Sequence, residues 1–417
     1  MKIDAPRFPR KVAVPRKARL YTPDLWDALM HEAVKSSYRQ STDTANRLLR
    51  RSGDERFKAR TLNWQCSKRG SALHREEQEK CRDVLAEHGF DFESDQLPKE
   101  LPAALTQPQV RQDEGSLSDE DLRAALNRCN AAVTLSNYLV SDKWLADMER
   151  SPRDTVYISL DDVLTKRQRE ERRRAGREGR KSSRFISTTV VHVMTREGAR
   201  RIVADTMRKG CKMALAYLLH NQLLENRELV FFADGAREIR REVKKVFGFR
   251  PYKYYLDYFH LVERLHGLLT QGMKGGKARL EENEEIRQRL WGRLWAGNIS
   301  DAILYLSTLP EDLIKSRDQI DAAIEYLAKR KEQITCYALR KELGMLNSSN
   351  RAEQTGQMLI STRQKHDRMS WSEQGSRALA TITAVYRNNE TESLLYCKPL
   401  KLRPCLAGNE ALYRSVA

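Results

Sequence analysis

No run of apolar residues in this chain approaches the roughly 18 that a membrane-spanning helix needs. The opening Met1-Lys2-Ile3-Asp4-Ala5-Pro6 lacks the apolar core of a secretory signal, so an intracellular location is expected. The seven cysteines (Cys66, Cys81, Cys129, Cys211, Cys336, Cys397, Cys405) are scattered, odd in number and never paired as Cys-x-x-Cys, which argues against a disulfide framework and a zinc ribbon and leaves free thiols. A phosphate-binding loop is missing too. Gly272-Met273-Lys274-Gly275-Gly276-Lys277 lacks the four-residue gap between glycines, and Ala278 stands where a Ser or Thr would bind magnesium, so no nucleotide is expected there.

What the chain does have is positive charge. Among 417 residues, 75 Lys+Arg outweigh 57 Asp+Glu, a formal charge of +18, while 40% hydrophobic content supports a well-buried core of two or three domains. Such a surface favours a polyanion because each phosphate contact releases counterions; nucleic acid comes ahead of an anionic membrane.

Residues 1–20 carry seven Lys/Arg and three Pro and read as a basic flexible arm. Residues 21–90 read as a helical DNA-binding region. Leu25, Leu29 and Ala33 share one helical face, Ser36-Ser37-Tyr38 breaks it, and a second short helix follows from Thr42 to Leu49. This helix-turn-helix-like pair would present Arg39, Gln40, Arg47, Arg50 and Arg51 to DNA, although most short helical pairs bind nothing. A basic amphipathic helix is expected over 59–89. The stretch 91–150, Pro- and acid-rich over Asp91 to Asp121, reads as linker and helical segment.

Periodicity then changes. Val156, Ile158 and Leu160 alternate with Tyr157, Ser159 and Asp161, and Phe185 to Met194 is rich in β-branched residues, which predicts a hairpin. Between them Lys166 to Arg184 holds ten Lys/Arg, three Glu and one aliphatic residue, Ala175. It is too polar to pack and reads as a loop, either solvated or gripping phosphate through Arg172, Arg173, Arg174, Arg180 and Lys181. Cys211 to Leu224 reads as helix, Leu229 to Ala233 as strand, Ala236 to Phe247 as helix and Tyr252 to Leu256 as strand, giving the order β-β-β-α-β-α-β. Residues 259–346 are almost continuously helical; Trp291 and Trp295 could stack on an extruded base, but their spacing beside Leu290 and Leu294 favours core packing. The fold class is α/β, with an all-α N-terminal region.

Three acids stand at positions that carry chemistry. Asp161 ends an alternating strand and points to the face opposite Asp162. Asp234 follows a buried strand and precedes a helix, where α/β strands deliver polar groups. Glu353 opens a helix. Each has a bland alternative: Asp234 as a helix N-cap, Glu353 as the back-bonding member of a capping box begun by Asn350. Together, beside a basic segment, they suggest a divalent-metal site for phosphodiester chemistry.

Four stretches, Tyr157-Ile158-Ser159-Leu160-Asp161-Asp162-Val163, Phe232-Ala233-Asp234-Gly235-Ala236, Leu256-Asp257-Tyr258-Phe259-His260-Leu261-Val262-Glu263 and Asn347-Ser348-Ser349-Asn350-Arg351-Ala352-Glu353, resemble those of bacterial insertion-sequence transposases of the ISLre-type DDE group, similar to Mutator-like transposases. The likeness covers roughly 20–60 and 150–390, including Gln364 to Ser372. It implies an RNase H-like core over 151–258 and 347–390, an α-helical insertion over 259–346 between the second and third acids, and a C-terminal tail over 391–417. It further implies that Asp161, Asp234 and Glu353 hold Mg²⁺, for which Mn²⁺ can substitute, and that Asp257-x-x-His260 is a family signature. His260 then orients a carboxylate or phosphate, or caps the core through a backbone carbonyl. His366 reads as a surface residue; Arg351 and Arg363 touch phosphate or line a solvated face. Relatives have Asp-Gly-Val on the first strand where this chain has Asp161-Asp162-Val163, leaving Asp161 or Asp162 as first ligand. The activity implied is cleavage at transposon ends and strand transfer into target DNA by a homodimer or higher oligomer near the bacterial nucleoid. The alternatives are an inactive or domesticated DNA-binding relative and a stand-alone RNase H-like nuclease.

Overall fold

The protein's structure, a computed structural model, describes residues 22–53, 56–107, 116–131, 138–151, 154–178, 183–196, 198–275, 279–365 and 369–406. The basic arm, Arg180, Lys181, His366, the Gly276-Lys277-Ala278 stretch and the end of the C-terminal tail lie outside the described residues, as does the side chain of Arg351.

The first two helices form as their caps dictate. Helix α1 (Pro23–Ala33) starts at Thr22, whose hydroxyl accepts from Leu25 N, and α2 (Tyr38–Leu48) starts at a capping box between Ser37 and Gln40. Gln40 Oε1 accepts from Ser37 N at 3.1 Å, so this side chain, expected to face DNA, is engaged in the cap instead. Helix α3 (Ala59–Glu87) has the expected extent and is buried along one face from Leu62 to Leu85. The Pro-rich stretch that follows is more than a linker. Phe90, Phe92 and Leu105 of α4 (Ala103–Thr106) are buried in the main core, because even a proline-rich segment folds down when its aromatic and aliphatic side chains find an apolar surface. Asp95 is held there by Arg208 at 3.0 Å and Lys245 at 3.1 Å. Helix α5 (Asp119–Asn130), capped by Ser118 and Asp121, packs in a smaller cluster with Met148 and Leu339.

One mixed sheet organises the rest. It comprises β1 (Thr155–Lys166), β2 (Phe185–Thr195), β3 (Ala199–Asp205), β4 (Glu228–Ala233), β5 (Lys253–Leu256) and the two-residue edge β6 (Cys405–Leu406), in the order β5-β4-β1-β2-β3-β6. Strands β1, β2 and β3 are antiparallel neighbours, while β1, β4 and β5 run parallel. The basic segment after β1 is not only a loop: it contains helix α6 (Arg169–Arg177), with no buried residue of its own. Arg169, Arg173, Arg174 and Arg177 are exposed while its base is fixed, Gln168 N donating to Trp371 O at 2.8 Å and Arg167 pairing with Glu373 at 2.8 Å. The sequence pattern misses this helix because it has no apolar face to read.

Helices α7 (Met207–His220) and α8 (Arg237–Phe247) cover the face of the sheet made by Val156, Ile158, Leu160, Phe231 and Ala233. After β5 the chain leaves the sheet for a helical lobe: α9 (Tyr258–Gly272), α10 (Leu280–Trp295), α11 (Ile299–Ser307), α12 (Arg317–Arg330) and α13 (Tyr337–Glu342). The lobe has its own core, into which Trp291 and Trp295 pack; Trp295 stacks on Tyr337 with ring centroids 5.9 Å apart. Tyr337 Oη donates to Leu256 O at 2.8 Å, which ties the lobe to the end of β5.

The chain then returns across the other face of the sheet. Helix α14 (Asn350–Gly356) runs into a π-helical turn, Gln357–Ser361, and α15 (Thr362–Gln364), followed by α16 (Glu373–Arg387) and α17 (Thr391–Tyr396). Val163, Val190, Ile202, Leu359, Ile360, Ala380 and Ala384 share the core on this side. Helix α16 also lies along α3, with Gly70 and Ala378 in such close approach that any Cβ at 70 would strike the Ala378 backbone. The N-terminal helices therefore share a core with α16 and α17.

Candidate active site

Strand register brings the first two acids together. Strands β1 and β4 pair in parallel up to Ser159 opposite Phe232; two residues further stand Asp234, just past β4, and Asp161, which does not end its strand as expected, because β1 stays paired with β2 as far as Lys166. Side chains alternate with a period of two, so both acids follow the side taken by Tyr157, Val163, Val230 and Phe232. Asp162 belongs to the opposite face, where the hydroxyls of Ser187 and Thr189 donate to it. Asp161 thus shares its face with Asp234, while Asp162 has a place in the β1–β2 pairing.

The third acid reaches the same place by helix. Glu353 lies half-buried in α14, and its neighbour three residues on, Gly356, occupies the same helical face. A Cβ built at Gly356 would lie 3.0 Å from Asp161 Oδ2 and 3.0 Å from Val163 Cγ2. A Cβ there would make α14 or its neighbours on β1 give by a few tenths of an ångström, so the bare Cα favours the close approach that brings Glu353 toward Asp161. The capping box foreseen for Glu353 does not form: the helix is capped at Ser349, with no side-chain cap bond. The carboxylate turns instead to His260, whose Nε2 lies 3.1 Å from Glu353 Oε1. Asp234 is likewise no helix N-cap; α8 is capped at Ala236, and Asp234 Oδ1 accepts from Ala236 N at 2.8 Å. Gly235 turns the chain there at a φ of +79°, a conformation that favours glycine.

Asp257 completes the frame, a role not assigned to it on the sequence. It lies two residues past Tyr255, which pairs with Phe232, so it stands beside Asp234 on the same side of the sheet. Its Oδ1 caps α9 by accepting from Phe259 N at 2.7 Å and His260 N at 3.1 Å, and its Oδ2 accepts from Ser349 N and, at 3.0 Å, from Ser349 Oγ. One buried carboxylate therefore anchors both the helix that carries His260 and the start of the helix that carries Glu353. The available signal was the Asp-x-x-His spacing, in which an Asp just before a helix is a ready N-cap.

Charge records the convergence. Burial, and then the negative charges of Glu353 and Asp234, push the Asp161 carboxyl above its ordinary range, with His260 pulling the other way. Among the described residues no Lys or Arg pairs with any of the three acids. Nor do any three His, Cys, Asp or Glu side chains among them form a closed metal cage. The donor set nonetheless fits a hard divalent cation: oxygen ligands, mutually repelling and partly desolvated, with no thiolate among them.

Asp234 and His260 open onto a cleft of about 710 Å³ between the start of α8, α9 and α12, whose cations Arg237, Arg264, Lys329 and Arg330 escaped notice in the sequence because they come from three separate helices.

The residues foreseen to touch DNA lie elsewhere. Arg39, Arg47 and Arg50 are exposed on or just after α2, and Arg51 lies over the Phe57 ring at 4.4 Å. Arg173 and Arg174 project from α6, Arg174 toward Glu178 at 3.4 Å, while Arg172 is half-buried. Arg363 is neither on a phosphate-facing surface nor solvated. It is 2% exposed, donates to Ala33 O at 2.8 Å and lies against Tyr38 and Trp371, because it joins the α1–α2 pair to the chain segment that carries Glu353. All seven cysteines are free.

No family model matches this chain, and no curated protein matches it. No helix among the described residues is long and apolar enough to cross a membrane.

Proposed function

We propose that this protein is a DNA transposase of the DDE type, cleaving at transposon ends and joining them to target DNA. The observation that carries the reading is the convergence of Asp161, Asp234 and Glu353 just past the last paired residues of the adjacent parallel strands β1 and β4, with Glu353 delivered by α14. On this reading the mixed sheet with α14 and α16 is the RNase H-like core, and α9 to α13 are the insertion between the second and third acids. Asp161, Asp234 and Glu353 would hold Mg²⁺, with Mn²⁺ as substitute, which supplies Lewis-acid stabilisation of the phosphate and an activated water.

The chain's own residues do the rest. Asp257 holds α9 and α14 in one frame, so that His260 meets Glu353. Gly356 lets α14 close on β1. His260 donates a proton-bearing nitrogen to Glu353 and keeps that carboxylate aimed at the site, the role that outer partners play for metal-binding carboxylates. Exposed arginines of α2 and α6 supply the duplex's phosphate contacts, and the Arg363–Trp371 contact joins both elements to the site. The partner is double-stranded DNA, bound by a homodimer or higher oligomer in the bacterial nucleoid. The coarser alternatives are a stand-alone nuclease, which cuts but does not join, and a domesticated relative, which binds but does not cut.

The test is cleavage of a labelled duplex carrying the flanking ends of the element, in EDTA, Ca²⁺, Mg²⁺ and Mn²⁺ in turn. The reading expects cutting in Mg²⁺ and Mn²⁺ only, followed by joining to a second duplex. Tight end-specific binding without nicking favours the domesticated relative, and cutting in EDTA eliminates a metal mechanism.

A further inference from the structure

The cleft beside Asp234 has a composition that the three acids do not explain. Its walls bring Arg237 of α8, Arg264 of α9, and Lys329 and Arg330 of α12 to one opening, against Glu263, Glu325 and Asp234 itself. Glu325 is taken by Lys329, and Glu263 lies 3.8 Å from His260 Nδ1. Among the described residues no carboxylate pairs with Arg237 or Arg264, which are exposed, or with Arg330. Arg330 instead lies over the Tyr326 ring at 4.0 Å and donates to Gly235 O at 3.3 Å, while its Nε is buried without a partner. The cleft thus gathers four cations beside the Tyr326 ring.

A second observation is independent of charge. Gly267 lies inside the fifteen-residue helix α9 and lines this cleft, yet among the described residues nothing stands within 4 Å of the place a Cβ would take. A glycine in a helix interior costs about 0.5–1 kcal/mol relative to alanine. No contact among the described residues accounts for it, and it keeps this wall bare. A bare wall suits a ligand that approaches the helix closely.

We infer that this cleft takes one or two unpaired nucleotides of the strand that passes the three acids. Its volume falls in the range of roughly 300–1,000 Å³ typical of small-ligand clefts, too small for a duplex. Cations that track phosphate, joined to a ring on which a base can stack, are the usual means of holding single strands. Arg330 lies over the Tyr326 ring at 4.0 Å, and guanidinium groups and aromatic rings are the side chains on which unpaired bases stack. The inference rests on the proposed function for its substrate class, but its test does not require cutting.

The experiment is fluorescence anisotropy in Ca²⁺ with the full chain, comparing a labelled blunt duplex with the same duplex bearing a three-nucleotide unpaired tail. The tail is expected to tighten binding by about tenfold, the worth of one stacked base and its phosphate contacts. Arg264→Gln with Arg330→Gln should remove that gain and leave the blunt duplex unaffected. Gly267→Leu should remove it as well while melting no lower than the wild type, which separates blockage from unfolding. Equal affinity for tailed and blunt duplexes overturns the inference, as does an equal loss for both in the double variant. Displacement of the tail by ATP at equimolar concentration would assign the cleft to free nucleotides instead. If the tail tightens binding but the wild type cuts nothing in Mg²⁺ or Mn²⁺, the cleft stands and the transposase reading fails.

Discussion

Two groups of carboxylates lie against the same sheet, and they are treated in opposite ways. At β3, Arg201 is 1% exposed between Glu77 at 2.7 Å and Glu390 at 2.9 Å; below β1 and β5, Arg340 is fully buried on Glu149 at 2.8 Å. Midway along β1, Asp161, Asp234 and Glu353 approach one another with the His260 imidazole beside Glu353. In the first group a guanidinium is buried with its carboxylates, because an unpaired buried charge costs several kcal/mol. Leaving three acids without such a partner stores repulsion that a cation can relieve. The contrast marks the second group as a site, and it can be broken at either end.

The largest effect is expected at the unpaired end. Asp161→Asn, Asp234→Asn or Glu353→Gln should lower Mg²⁺-dependent cutting by at least about a thousandfold, the several kcal/mol that metal-ion catalysis supplies. Asp162→Asn, on the opposite face with Ser187 and Thr189, should cut at close to the wild-type rate. A single-turnover assay on a labelled duplex decides, and full activity in any of the first three removes that residue from the site.

At the paired end, the loss falls on the fold. Arg201→Met leaves Glu77 and Glu390 buried without their cation and should cost about 3–5 kcal/mol in urea unfolding. Cutting per folded molecule should stay unchanged. An activity loss larger than the folded fraction explains would mean that the two groups are coupled.

Gly356 tests the approach of α14 to β1. Adding a side chain 3.0 Å from Asp161 Oδ2 and Val163 Cγ2 must push the helix away. Gly356→Val should slow cutting by about a hundredfold, the penalty for displacing reacting groups by about an ångström. Gly356→Ala should slow it less, and DNA affinity should be untouched in both. Unchanged rates would show that Glu353 does not depend on this contact.

The smallest effect has the opposite sign. Because the folded state raises the Asp161 pKa, it binds a proton more tightly than the unfolded chain, and stability falls as pH rises from the ordinary carboxylate range through the raised value. Asp161→Asn should therefore raise the melting temperature at pH 7 by about 1–3 °C, a stability gained where function is lost. The gain should vanish below about pH 4, where the acid is protonated in both states. A lower melting temperature at pH 7 would mean that the carboxylate is satisfied as it stands.

The sequence revealed the acids more readily than their supports. Alternation in Val156 to Asp161 and the buried run before Asp234 carry a strand period, so the strands and the side each acid takes can be read directly. Register then follows in the structure, with Ser159 opposite Phe232. Gly356 and Asp257 act through contacts formed across almost 200 and 92 residues of chain, to Asp161 and to Ser349, and no local period signals such contacts. The cleft cations come from three helices and share no motif. Helix α6 was hidden because a helix without an apolar face has the composition of a loop, and Arg363 looked solvent-facing because its charge says nothing of the Tyr38 and Trp371 rings that cover it.

The most direct test of the central claim needs no DNA. Melting curves would be recorded with increasing Mn²⁺ for the wild type, Asp161→Asn, Asp234→Asn, Glu353→Gln and Asp162→Asn. If the three acids form one cation site, Mn²⁺ stabilises the wild type and Asp162→Asn in a saturable way, by about 2.7 kcal/mol at a hundredfold excess over Kd, and each of the other three loses most of that shift. A wild-type melting temperature that ignores Mn²⁺, or an equal shift in all five proteins, would contradict the claim.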